Sequence, residues 1–377
     1  MKTLGLYLHI PFCKSKCLYC DFCSFPRPKE ETVNAYVDAL CRDLRCWGER
    51  CHGYTVDTLY LGGGTPTLLS EEQMTRVMQS VRDAFSLMPN AEITAECNPR
   101  TGGLAYFRHL RALGFNRLSI GLQSAHKGEL KALGRTHTLD DFCRTAESAR
   151  EAGFANLSAD VMLGIPHQTK ESYLDTLRAL LALSPDHVSA YGLSVEEGTP
   201  FGRMHDRLLL PDEEETREMY LLGARLLEQN GLLQYEISNF AKKGYESRHN
   251  LKYWNSEEYL GLGPAAYSDL FGERFGNSRD LAAFLSGKDV TAERETPSRE
   301  ERLQEYVMLR LRLAEGIVEE DFSARFGVRF ADRFADGLSP YLSRGLLLRT
   351  NKGYALSREG MLLSNAILSD LLDFSQA

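Results

Sequence analysis

Four cysteines fall within eleven residues near the start of the chain, in the run His9-Ile-Pro-Phe-Cys13-Lys-Ser-Lys-Cys17-Leu-Tyr-Cys20-Asp-Phe-Cys23. Thiolates are the ligands of choice for soft metals. Spacings of three and then two intervening residues suit a loop that wraps an inorganic core, not one face of a helix. Cys13, Cys17 and Cys20 are therefore candidate ligands of a four-iron, four-sulfur (4Fe-4S) cluster. Three protein ligands on four irons leave one iron open, a place where a small molecule can coordinate. Two other readings of the same residues stay open: a structural zinc held by four thiolates, and a redox Cys-x-x-Cys pair. Cys23 is either a fourth ligand or a spare thiol nearby, and the open iron favours the spare thiol. Cys41, Cys46 and Cys51 share one predicted helix at spacings of five, which points them to different faces, so they read as packing residues. Cys97 and Cys143 carry no signal.

These residues need a scaffold, and the pattern supplies one. Short β-rich runs at Leu4–Ile10, Thr58–Leu61, Glu92–Glu96, Arg117–Leu122, Asn156–Met162 and His187–Leu193 alternate with amphipathic stretches. Helices are expected over Thr32–Arg50, Ser70–Phe85, Leu104–Leu113, Leu139–Ala152, Thr169–Leu183 and Asp212–Asn230. Ser70 with Gln73 reads as a capping box, and Gly114 and Gly153 sit where a left-handed C-cap is wanted. Six alternating β and α units imply a parallel sheet with right-handed crossovers, an α/β architecture that is either an open doubly wound sheet or a barrel. The loop holding the cysteines follows the first strand. Gly62-Gly63-Gly64-Thr65-Pro66 follows the second, where glycines let backbone approach a ligand. Glu96, Gln123 and Asp160 end the next three, and Tyr191-Gly192 lies in the sixth. Ligands of such folds bind at the carboxyl ends of the strands, so these residues are expected to share one cup.

The division is expected at 287/288: a barrel with its extension over 1–287, then a small α+β, winged-helix-like module over 288–377. In the latter, helices precede a hairpin made by Leu346–Arg349 and Tyr354–Leu356. With 377 residues the chain exceeds one ordinary domain. Net charge is 44 − 52 = −8, which gives no bulk attraction for phosphate backbones or anionic lipid. From Pro297 onward eleven Lys/Arg meet twelve Asp/Glu, so the tail is no basic nucleic-acid module. No run of about 18 apolar residues suggests a membrane span, although peripheral membrane contact stays open. The opening residues do not read as a secretory signal, so a cytoplasmic location is expected.

The motifs together resemble a known family. The cysteine loop and the Gly-Gly-Gly-Thr-Pro turn look like a radical S-adenosylmethionine (SAM) protein. More closely, Tyr7-Leu-His-Ile-Pro-Phe-Cys13, Gly62–Thr67, Gly121–Ser124, Leu133–His137 and Asp160–Pro166 resemble the oxygen-independent coproporphyrinogen III oxidase family. The resemblance implies a partial (β/α)6 barrel of the TIM type. It implies that Cys13, Cys17 and Cys20 bind the 4Fe-4S cluster and that SAM takes the open iron through its amino and carboxylate groups. Tyr7, Gly63 and Glu96 match the family's SAM contacts. Tyr19, Gly64, Thr65, Gln123, Arg135, Asp160 and Gly192 match contacts to a second SAM. The implied chemistry is reductive cleavage of the sulfonium to a 5′-deoxyadenosyl radical, fed by a reductant protein, with the polypeptide positioning the groups.

The family has two branches. The oxidases carry an N-terminal extension, whereas here six residues precede Tyr7, and Cys20-Asp-Phe-Cys23 resembles the HemW heme chaperones. So does His249-Asn250-Leu-Lys-Tyr253-Trp254, whose His249 is a candidate heme ligand. That branch implies heme as cargo, delivered to an acceptor protein. The alternative is decarboxylation of coproporphyrinogen III to protoporphyrinogen IX, and the sequence leaves open whether SAM turnover accompanies delivery.

Overall fold

The structure is a computed structural model and describes residues 2–372. Its centre is six parallel strands in sequence order: β1 (Lys2–Ile10), β2 (Tyr54–Gly63), β3 (Ser86–Cys97), β4 (Arg117–Gln123), β5 (Asn156–Leu163) and β6 (His187–Gly192). Helices Glu30–Arg50, Glu71–Ala84, Leu104–Ala112, Leu139–Glu151 and Lys170–Leu181 make the crossovers. Beyond β1 the sheet continues through Tyr259–Leu262, parallel to it, and then three antiparallel strands ending at Thr291–Glu295. Beyond β6 it continues antiparallel through Asn239–Ala241 and Leu233–Gln234. The order is linear, so the six units form the incomplete barrel expected.

The side-chain period of two explains how each strand serves two environments. In β1, Leu4, Leu6, Leu8 and Ile10 are all 0% exposed, each burial contributing about 1.5–3 kcal/mol, while Tyr7 and His9 face the other way. In β4, Leu118, Ile120 and Leu122 pack outward into the apolar core, and Arg117, Ser119, Gly121 and Gln123 line the barrel's cavity. The helix ends follow the sequence cues. Ser70 and Gln73 form a reciprocal capping box, and Gly114 and Gly153 each take φ +94 just past their helices.

Two expectations change. β3 is twelve residues long, not five, because Ser86 and Leu87 pair with Thr55 and Val56 ahead of a register shift. The polar stretch around Pro89 and Asn90 hides that pairing from a hydrophobic-pattern reading. The division at 287/288 also comes too early. Thr291–Glu295 still pairs with Glu273–Asn277 in the large sheet, and the second apolar core draws on residues from Leu303 onward. That module packs the helices from Arg299 to Leu371 with a small antiparallel sheet of Ile317–Val318, Gly353–Leu356 and Leu347–Arg349. Among the described residues no helix is long and apolar enough to cross a membrane.

Candidate functional site

The loop after β1 is held in place by its backbone. The short strand Phe12–Cys13 pairs with Phe25–Pro26, closing the loop at its base. At its tip the Leu18 N–H donates to the Leu133 carbonyl (3.1 Å) and the Leu18 carbonyl accepts from the Phe201 N–H (3.0 Å). Between these anchors Cys13, Cys17 and Cys20 are half-buried free thiols bordering one cavity of about 630 Å³. Burial pushes the Cys13 and Cys20 thiols up, so a cation there would have to displace their protons. Cys23 does not border the cavity. It is buried, with its Sγ 3.7 Å from the Arg279 carbonyl. Cys41 and Cys51 are buried in the apolar core as expected, but Cys46 is exposed.

The glycine turn after β2 closes one side. Gly63 has φ +103, and a Cβ there would lie 2.4 Å from the His9 ring. A Cβ on Gly64 would lie 2.6 Å from the Phe12 carbonyl oxygen. Both positions require glycine, and the bare backbone that results forms cavity wall. Thr65 Oγ1 is 3.8 Å from Cys13 Sγ and accepts from Asn98 Nδ2 at 2.8 Å.

Glu96, at the end of β3, accepts from the Tyr60 hydroxyl (2.9 Å) and the Gly63 N–H (3.1 Å). Burial, with the Asp160 carboxylate next in importance, raises its pKa to about 7. Asp160 accepts from Ser119 at 2.9 Å, and burial raises its pKa too. Gln123 ends β4 in the left-handed region (φ 66) and accepts from the Tyr191 hydroxyl at 3.0 Å. Arg135 donates to the Tyr19 hydroxyl at 2.9 Å and to Asn98. Burial lifts the Tyr19 phenol to about 12, so it remains neutral. Gly192 lies on the same wall. The structure thus gathers the three cysteines and, of the ten expected SAM-contact residues, all but Tyr7.

Tyr7 is placed differently. It does not border the cavity; its hydroxyl is 3.0 Å from His9 Nδ1 and its ring stacks with Tyr60. His249 corrects an expectation more sharply. It is 1% exposed, its Nδ1 is 2.8 Å from Thr58 Oγ1, and its Nε2 is 2.8 Å from the Tyr253 hydroxyl. Both ring nitrogens are engaged and the ring stacks on Tyr60, so it offers no lone pair to an iron. Burial drops its pKa to about 3. The member of that motif which reaches the cavity is Asn250. Sequence reasoning also passed over Arg117, Ser119, His187 and Ser189. Their alternation along β4 and β6 was the available signal, because polar residues at every second position of an otherwise apolar strand mark a wet interior face.

Comparison with known proteins follows the same lines. Residues 7–180 match the Radical SAM superfamily model and residues 298–363 the HemN C-terminal domain. The fold superposes on coproporphyrinogen III oxidase (HemN) from Escherichia coli, a radical SAM enzyme, with a TM-score of 0.86 at 26% identity, covering 98% of this chain and 90% of that one. The heme chaperone HemW of Bacillus subtilis (strain 168) is 34% identical, covering 97% of this chain and 98% of its own. That of Escherichia coli (strain K12) is 35% identical, covering 98% of both. The chain belongs to the HemW branch of the radical SAM superfamily. Membership implies a 4Fe-4S cluster and SAM, and three free thiols line the cavity that would take them. Among the described residues no three His, Cys, Asp or Glu side chains converge closely enough to hold a single ion. A cubane, with its thiolates on separate corners, calls for the wider spread of this loop.

Proposed function

We propose that this HemW-branch chain is a heme chaperone, binding heme together with a 4Fe-4S cluster and SAM and delivering the heme to an acceptor protein. The observation that carries this reading is the end-to-end likeness to curated heme chaperones at 34% and 35% identity. Cys13, Cys17 and Cys20 would hold the cluster, leaving one iron to SAM. When bound, the cluster supplies electrons toward the SAM sulfonium. The chain's own residues do the rest. The loop anchors at Leu18 hold the cysteine loop in place, and the bare Gly63–Gly64 backbone would let SAM come close. Glu96 and Asp160 offer carboxylates to a cationic ligand. Arg135 orients Tyr19 through its 2.9 Å hydrogen bond. The expected setting is the cytoplasm, with a reductant protein and a heme acceptor as partners and no nucleic acid.

A second reading is favoured by the superposition on HemN: oxidative decarboxylation of coproporphyrinogen III. One anaerobic preparation decides between them. The reconstituted protein, supplied with SAM and a reductant, is expected to bind heme, to pass it to an apo-cytochrome and to form no protoporphyrinogen. Steady protoporphyrinogen formation without heme transfer would reverse the assignment.

A further inference from the structure

The cavity continues below the residues assigned to the cluster and SAM. Gln123 and Arg117 both line it, at opposite ends of β4. Six residue steps of strand separate them, roughly 20 Å. At the lower end Arg117 is 2% exposed and is the largest fully buried side chain among the described residues. Its Nε has no partner, and among the described residues no hydrogen bond or ion pair reaches its guanidinium. Arginine stays ionised in proteins, and buried charges are almost always paired. The two acids on the same wall are committed elsewhere: Glu96 to Tyr60 and Gly63, Asp160 to Ser119. Neither lies within ion-pair distance of Arg117, although both feel its charge.

We propose that Arg117 is the anchor of a carboxylate-binding floor in the barrel. A planar guanidinium facing a cavity matches a carboxylate bidentately. One negative charge balances it, whereas a doubly charged phosphate would meet Glu96 and Asp160 on the same wall. The floor is a site of its own and does not depend on the heme reading. The carboxylate can come from a tetrapyrrole propionate or from the methionyl end of a second SAM molecule, the first using its own carboxylate on the open iron.

The test uses anaerobically reconstituted protein and the variants Arg117→Met and Arg117→Lys. Without ligand, Arg117→Met is expected to melt at or above the parent temperature, because a buried charge with no hydrogen-bond or ion-pair partner has been removed. A fall of several degrees, or failure to fold, would make the guanidinium a satisfied structural group and overturn the proposal. Sodium propionate is expected to raise the melting temperature of the parent and not of Arg117→Met. Two titrations then name the source. If the carboxylate is a propionate, Arg117→Met binds heme about 10- to 100-fold more weakly, and the parent's preference for heme over heme dimethyl ester disappears. If it is SAM's, the same loss appears for SAM. Arg117→Lys, a point charge without the fork, is expected to fall between parent and Arg117→Met. No loss in any of the propionate, heme and SAM arms refutes the floor. A parent that binds no heme refutes the chaperone reading alone and leaves the floor to the propionate and SAM arms.

Discussion

Glu96 offers the sharpest test of the site's electrostatics. Its folded pKa is about 7, against an ordinary value of 4.5. Between those values the folded state holds a proton that the unfolded chain has released, so stability falls as pH rises. The stabilisation is fully present below pH 4.5 and is lost as pH passes through 7. The gap of about 2.5 units corresponds to about 3 kcal/mol, an upper figure because the carboxylate borders a cavity that water can enter. Glu96→Gln mimics the protonated acid at every pH. Its carbonyl can accept from the Gly63 N–H, and the Tyr60 hydroxyl can turn to accept from its amide, so both hydrogen bonds survive in kind. The variant should therefore match the parent near pH 4.5 and exceed it by up to about 3 kcal/mol above pH 7. At roughly 2 °C per kcal/mol for a chain of this size, that is about 6 °C in melting temperature. Thermal denaturation of cluster-free protein in matched buffers from pH 4.5 to 8.5 measures the difference. A gap that stays constant across that range would refute the reasoning, for it would mean that Glu96 does not titrate there.

Other substitutions follow from the same geometry. Cys17→Ser should abolish four-iron incorporation, whereas Cys23→Ser should retain it, because the Cys23 thiol does not border the cavity; iron content and the visible absorption of reconstituted protein decide. Gly63→Ala must force a Cβ into the His9 ring at a left-handed φ, so it should cost at least 2 kcal/mol and weaken SAM binding, read by denaturation and calorimetry. His249→Ala removes a buried ring bonded to Thr58 and Tyr253, a loss of about 2–4 kcal/mol. Any heme bound to it should keep the parent Soret maximum, and a shifted band would restore His249 as the ligand.

The parallel sheet, its crossover helices and the helix ends at Ser70, Gly114 and Gly153 were legible in the chain because they depend on local signals: apolar runs bounded by glycine and proline, and a serine ahead of an amphipathic stretch. The cysteine spacing, the glycine turn and the polar strand ends were legible for a related reason. Crossovers of one hand bring every strand's carboxyl end to one edge, so residues at those ends meet whatever the details of packing. What the chain by itself could not determine depends on contacts distant in sequence. His249 looks like a ligand beside aromatic residues, yet Thr58 and Tyr253 claim both its nitrogens, and Thr58 lies 191 residues away. Arg117 looks like an ordinary polar start to a strand. Only the closing of the barrel around it turns an unremarked arginine into a buried cation facing a cavity, because burial and partnership are properties of the assembled walls and not of any segment.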